Sequence, residues 1–193
     1  LGDVYKRQIL SLNGVVYAES VKLGGDKMDE AITSWIRRNF GCVIGESTAE
    51  KIKQTIGCCT EESDKLEMQV TGRNLAEGIP ETFTLNSDQV FDAMKDPLLG
   101  IVRAIRNALE LAPPELAADI AERGIVLTGG GGLMRDLDKL ISNSTGIPVI
   151  VAEDPLTCVA RGGGQALEII DKYDIDLLST CLLYTSDAAD DGT

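Results

Sequence analysis

The sequence predicts an α/β protein in which a parallel sheet is covered by helices, and three observations carry that prediction. The last third repeats one rhythm: the strand "GIVLT", a run of glycines, a helical segment to about Asn143, then the strand "IPVIVA", the turn "EDP" and the helical segment "LTCVARGGGQALEIIDKY". Both strands are apolar throughout instead of alternating, which is the pattern of strands buried on two faces. The chain is also long enough to bury a core, with 193 residues of which 44% are hydrophobic and 25% charged.

The elements follow in order. Residues 9–23, "ILSLNGVVYAESVKL", alternate apolar and polar around Asn13-Gly14, a dipeptide suited to a two-residue hairpin turn, so two antiparallel strands are expected. Met28, Ala31, Ile32, Trp35, Ile36 and Phe40 then fall at helical spacing, with Asp26 as the expected N-cap and Gly41 as the terminator. A second helix begins at "STAEKIKQTIG", where Ser47 and Glu50 match a capping box and Gly57 is placed to close the end. From Lys65 to Leu85 the alternation and a Gly78-Ile79-Pro80 turn predict two or three strands of a small sheet. Helix returns from "NSDQVF" onward, with Pro97 as an expected start or kink, and again after Pro113-Pro114.

Composition excludes several functions. Eighteen basic against 31 acidic residues give a net charge of −13, which repels a phosphate backbone, so no nucleic-acid partner is expected. The apolar runs fall well short of the roughly 20 residues that span a bilayer, and no signal peptide opens the chain, so the visible part is expected in the cytosol. Histidine is absent, which removes Ser/His and Cys/His catalysis and the commonest general base. Cys42, Cys58, Cys59, Cys158 and Cys181 form no CxxC pair and are odd in number; buried, unpaired thiols are expected, with no metal site.

The two ends share an origin outside the protein. One coding string for "DVYKRQ" has a reverse complement that, read one base along, spells Cys-Leu-Leu-Tyr-Thr and opens a Ser codon, matching the C-terminal "CLLYTS". An inverted DNA adapter would encode both. Residues 1–8 and 181–193 are therefore expected to be adapter-derived, and the chain to be a fragment cut at both ends.

The glycines carry the functional signal. Gly129, Gly130, Gly131 and Gly132 stand between an apolar strand and an amphipathic helix, where an open α/β sheet places its ligand and where free N–H groups meet an anion. Met134 occupies the third glycine's place of a GxGxxG motif, and Gly-Lys occurs nowhere, so neither a Rossmann fingerprint nor a P-loop is present. Gly162, Gly163 and Gly164 interrupt a helix, and close packing of that helix on the sheet is expected there. Glu50 and Lys53 lie three apart on one helix face; as residues alone they read as a capping-box glutamate and an ordinary surface ion pair.

Five strings, "LGGDKMDEAI", "GESTAEKIKQTIG", "GRNLAEGIPETFTLNS", "ERGIVLTGGGGLMRDLDKLI" and "TGIPVIVAEDPLTCVARGGGQALE", in this order, resemble the C-terminal half of the MreB family of bacterial actin homologues across about residues 9–178. The resemblance implies an actin-like ATPase fold, with a ribonuclease H-like sheet and flanking helices. Only the second lobe would be present, with residues 9–25 and 88–178 as its inner subdomain and residues 26–87 as a smaller α+β outer subdomain. It implies that Gly129, Gly130, Gly131 and Gly132 hold nucleotide through backbone, that Met134 lies beside the adenine, and that Glu50 and Lys53 contact ribose and adenine. The family usually carries a small non-glycine residue where Gly132 stands.

The same resemblance implies ATP with Mg2+ as the cofactor, self-assembly into filaments, the cell-wall elongation machinery as partner, and a location at the inner face of the cell membrane. Membrane contact, the phosphate-binding hairpins and the catalytic acid would belong to a first lobe upstream of Ile9, so this stretch alone is not expected to hydrolyse ATP whereas its parent is. A sugar kinase or a chaperone ATPase of the same clan, or an interaction domain with a vestigial pocket, are the rival readings.

Overall fold

The computed structural model describes residues 5–11, 14–21, 24–158 and 160–165. The chain opens with an antiparallel hairpin, β1 Tyr5–Ser11 and β2 Gly14–Val21. Gly14 stands in β2 opposite Ser11 instead of in the connection, and residues 12 and 13 lie outside the described residues. Tyr5–Gln8, part of the stretch assigned to adapter, pair with Ala18–Val21. The C-terminal stretch 181–193 lies outside the described residues.

Helix α1, Gly25–Phe40, buries Met28, Ile32 and Ile36 and ends at Gly41, whose φ of 64° is open to glycine at low cost. Gly24, not Asp26, is its N-cap; Asp26 sits in the first turn, where a carboxylate still meets the positive end of the helix. Helix α2, Glu46–Ile56, buries Ala49, Ile52 and Ile56. The expected Ser47–Glu50 capping box does not form, because the helix starts before Ser47: Gly45 is the cap, and its carbonyl accepts from Thr48 N and Ala49 N. Gly57 closes α2 as predicted, donating to the carbonyls of Ile52 and Lys53.

A three-stranded antiparallel sheet follows, in the order β3 Cys42–Val43, β4 Glu67–Asn74, β5 Pro80–Asn86. Val70, Phe83 and Leu85 form its buried face, and Phe83 stacks on Phe40 of α1 with ring centroids 4.4 Å apart. Pro80 opens the edge strand, a place where its missing N–H costs no ladder bond.

Helix α3 runs 24 residues, Ser87–Glu110, from a capping box that the sequence pattern did not single out: Asn86 accepts from Gln89 N while the Gln89 side chain accepts from Asn86 N. Pro97 lies inside it, neither starting nor ending it. Apolar residues Val90, Met94, Leu98, Ile101 and Val102 are buried on both sides of the proline, so packing holds the helix together where one backbone bond is lost.

After Pro113 the short α4, Pro114–Arg123, leads through Gly124 to β6 Ile125–Leu127, a 3-10 turn Gly130–Leu133, α5 Leu137–Thr145 and β7 Val149–Val151. β6 and β7 pair in parallel, as the strand-turn-helix rhythm predicts. Residues 158 and 160–165 are helical, the described part of the last predicted helix. The expected close packing at Gly162–Gly164 is absent among the described residues: all three are exposed, and a Cβ on any of them meets nothing within 4 Å.

One continuous core links these pieces, from Met28, Ile32 and Ile52 through Val70 and Leu85 to Met94, Leu137 and Ile141. Cys42, Cys58 and Cys59 are unpaired and buried, as expected, Cys42 and Cys59 within this core, while Cys158 is half-buried; burial pushes the Cys59 thiol up to about 12. No helix among the described residues is long and apolar enough to cross a membrane.

Two glycines separate backbone strain from collision. Gly124 and Gly146 both have positive φ, 86° and 73°, but only at Gly124 would a Cβ meet backbone, 2.6 Å from the Pro148 carbonyl oxygen. Gly146→Ala should cost about 1 kcal/mol for the left-handed conformation. Gly124→Ala should cost on the order of 3 kcal/mol, since it also forces β6 away from the Pro148 segment. Urea denaturation of the two variants measures the difference.

Candidate functional site: a glycine turn beside helix α2

Strand β6 delivers the chain to Thr128 at its carboxyl end, and Ala152 N donates to Leu127 O to fix the neighbouring strand. Gly129 turns with φ 74° and ψ −179°, a conformation that side chains resist, and its N–H donates to Pro155 O at 2.7 Å. The 3-10 turn begins there: Gly132 N bonds Gly129 O at 3.1 Å and Met134 N bonds Gly131 O at 3.2 Å. The N–H groups of Gly130 and Gly131 occupy its first turn, where no acceptor exists within the helix.

Three of the four glycines thus differ in why they are glycine. Gly129 is needed for its backbone angle. Gly132 is buried, and its Cβ position lies 3.4 Å from Leu127 Cβ, a contact that leaves room for a small side chain. Gly130 is exposed and meets only Leu156 Cδ2, at 3.6 Å, so the fold makes no demand for glycine at that position. Helix α5 does not open on the glycines as predicted. It starts at Leu137 after Asp136, whose φ of 63° breaks the path. Met134 lies half-buried between the two, packed on the core.

On α2, Glu50 is exposed and accepts from Gln54 Nε2 at 3.1 Å. Lys53 lies against α1 instead of free on the surface: its ammonium donates to Asp29 Oδ2 at 2.8 Å and to Gly25 O at 3.1 Å. Burial pushes the Asp29 carboxyl above the usual range, opposed by Lys53, with Glu50 and Asp26 adding to the rise.

The end of α2 is bound to the segment that leaves the glycine turn. Arg135 O accepts from Cys59 N at 3.0 Å, and Arg135 Nη2 donates to Ile56 O at 3.3 Å and to the Ser87 hydroxyl at 3.0 Å. Ser63 Oγ donates to Asp136 Oδ2 at 2.5 Å. Along the α2 axis, Lys53 and Glu50 stand about 4.5 and about 9 Å before Ile56. The structure therefore holds the predicted residues in two groups, the glycine turn with Met134 and the α2 pair, and joins the groups through Arg135.

This wall suits a nucleotide on two counts. Gly130 and Gly131 present backbone donors with no Cβ to keep a phosphate away, and α2 adds a carboxylate and an ammonium for a sugar or base. Among the described residues no group of three or more His, Cys, Asp or Glu could hold a metal ion. Two surface grooves of about 380 and 290 Å3 lie elsewhere, along α3 and the 59–65 loop, and include none of the predicted residues.

Arg135, Ser87 and Asp29 were not singled out by the sequence. Arg135 sits in an amphipathic stretch where a cation reads as surface, and Asp29 in a helix whose polar positions read as solvent-facing. The weak signal for Arg135 is its place two residues after a glycine turn, next to an aspartate forced to positive φ.

Asp136 gives this junction a pH dependence. The hydrogen bond from Lys139, then that from Ser63, hold its carboxyl below 3.8, so its contribution is full above that value and is lost as pH falls through the lowered folded value. Asp136→Asn keeps a residue tolerant of positive φ and removes the charge. The variant should be less stable than the parent near about pH 6, with the gap closing near about pH 3, as urea denaturation at both values will show.

Comparison with known proteins agrees with this architecture. The sequence matches the family described as MreB/Mbl protein over residues 3–175. It is 60% identical over 178 residues to the cell shape-determining protein MreB of Escherichia coli strain K12, covering 92% of this chain and 51% of the relative. It is 40% identical over 164 residues to the cell shape-determining protein Mbl of Bacillus subtilis strain 168, covering 85% of this chain and 49% of the relative. The chain thus spans about half the length of the curated relatives it matches. The crystal structure of MreB5 of Spiroplasma citri bound to AMPPNP superposes with a TM-score of 0.85 at 32% identity, covering 89% of this chain and 51% of that one. The fold is the actin-like α/β fold, and the chain belongs to the MreB/Mbl family.

Proposed function

We propose that this chain is the second lobe of an ATP-binding, actin-like cytoskeletal protein that polymerises into filaments at the inner face of the cell membrane and organises cell-wall synthesis in rod-shaped bacteria. The observation that carries the reading is Gly130: its N–H stands in the first turn of the 3-10 helix at the carboxyl end of a parallel strand, and among the described residues nothing requires glycine there. A ligand that must approach the backbone supplies the missing reason. The names of the relatives support the cell-shape role, and the AMPPNP in the Spiroplasma structure supports an adenine nucleotide.

In this reading residues 9–25 and 88–178 form an inner subdomain and residues 26–87 an outer one, with the nucleotide at their junction. Backbone donors of Gly129–Gly132 face the phosphates, Met134 flanks the adenine, and Glu50 and Lys53 meet the nucleoside. ATP bound with Mg2+ supplies a hydrolysable phosphoanhydride, its metal held through the phosphates and by the first lobe. The first lobe also supplies the phosphate hairpins, the catalytic acid and the membrane contact. What this lobe does is fix one wall: the glycine turn through Pro155 O, and α2 through Arg135. Closing the second wall on that wall favours the filament, whose repeating partner is another copy of the same protein.

The test uses the full-length protein with Mg-ATP, following binding by calorimetry and assembly by light scattering. The parent should bind and assemble. Gly130→Val, whose Cβ would meet only Leu156 Cδ2 at 3.6 Å, should lose affinity by on the order of tenfold or more while its urea midpoint stays within error. Binding without any assembly returns the kinase or chaperone reading; unchanged affinity in the variant removes the glycine turn from the site.

A further inference from the structure

The Asp29–Lys53 pair sits between α1 and α2 with side chains only 14% and 12% exposed. Such a burial is no efficient source of stability. Two charges lose much of their hydration, and an apolar pair of similar volume would serve as well or better. The pair is also incompletely matched, since Asp29 Oδ1 is buried with no hydrogen-bond partner among the described residues. What the geometry does supply is position. Lysine has a flexible four-carbon stem, and here its ammonium is held from two directions, by Asp29 Oδ2 at 2.8 Å and by Gly25 O at 3.1 Å. An ammonium has three N–H donors, so one remains. Glu50 lies one turn back on the same face of α2 and close enough for its charge to act on Asp29.

A carboxylate that accepts and an ammonium that donates, side by side, match a vicinal diol, whose hydroxyls each do both. We propose that Asp29 is a positioning residue for nucleotide recognition. Together with the Gly25 carbonyl it fixes the Lys53 ammonium so that its remaining donor meets the sugar hydroxyls, making the site selective for ribose over deoxyribose. This rests on the reading of Glu50 and Lys53 as nucleoside contacts. Asp29 itself touches no ligand; it acts through Lys53.

The experiment compares ADP with 2′-deoxy-ADP by calorimetry on the full-length protein, because a ratio of two affinities is insensitive to a general loss of stability. The parent should prefer ADP by on the order of tenfold, the worth of one charge-assisted hydrogen bond. Lys53→Met and Asp29→Ala should each bring that ratio close to one. Asp29→Asn, whose amide oxygen still accepts from Lys53, should retain most of the preference. Asp29→Glu keeps the ion pair while displacing the ammonium by a methylene, so it should lose preference even if Asp29→Ala fails to fold. A full preference in Asp29→Ala or in Asp29→Glu overturns the positioning role while leaving Lys53 in the site. An undiminished preference in Lys53→Met, or none in the parent, overturns the role together with the nucleoside reading of α2. Absence of ADP binding in the parent overturns the nucleotide site itself.

Discussion

The junction built on Arg135 is the constraint on which the rest of the site depends. Its guanidinium reaches the last carbonyl of α2 at Ile56 and the hydroxyl of Ser87 at the start of α3, while its own carbonyl takes the N–H of Cys59. Ser87 is fully buried, and its hydroxyl also accepts from Leu66 N. A buried polar network of this kind is costly when any member is missing, since each orphaned group loses its hydration without return. The consequence is rigidity. The end of α2, the start of α3 and the exit from the glycine turn share one set of bonds, so the wall of the site is one piece.

Sterics divide the glycine turn in the same economical way. Gly129 is set by its angle and Gly132 lies buried in contact distance of Leu127, whereas a Cβ on Gly130 would meet only Leu156 Cδ2. Where a residue carries a cost and its surroundings give no reason for it, a close approach to its backbone would supply one. Lys53 offers the complementary case: a cation expected on the surface is drawn inward by Asp29, so its mobility is exchanged for a fixed direction.

The sequence rhythm carried much of the architecture. The parallel β6–β7 pair, the small antiparallel sheet with its turn at Gly78, and the helix limits at Gly41 and Gly57 all follow from apolar periodicity and from glycine at positive φ or at a helix end. Cap assignments were less legible. Ser47–Glu50 and Asp26 have the right residue types, yet the caps are Gly45 and Gly24, so Ser47 and Asp26 already have helical backbone and neither side chain stands in the flanking position from which a cap reaches the orphan N–H groups. Pro97 read as a start or kink; α3 starts ten residues before it, and apolar residues buried before and after it keep the helix in one piece.

By itself the sequence determined the fold class, the order of its elements, the family it resembles and the position of the glycine turn, all of which are local or periodic properties of the chain. Only the tertiary structure decided which charges are structural. Arg135 reaches 79 residues back to Ile56 and 48 back to Ser87, and Lys53 reaches 24 back to Asp29. A charged side chain looks solvated in any short window of sequence; whether it is buried and paired depends on which distant segment the core brings beside it.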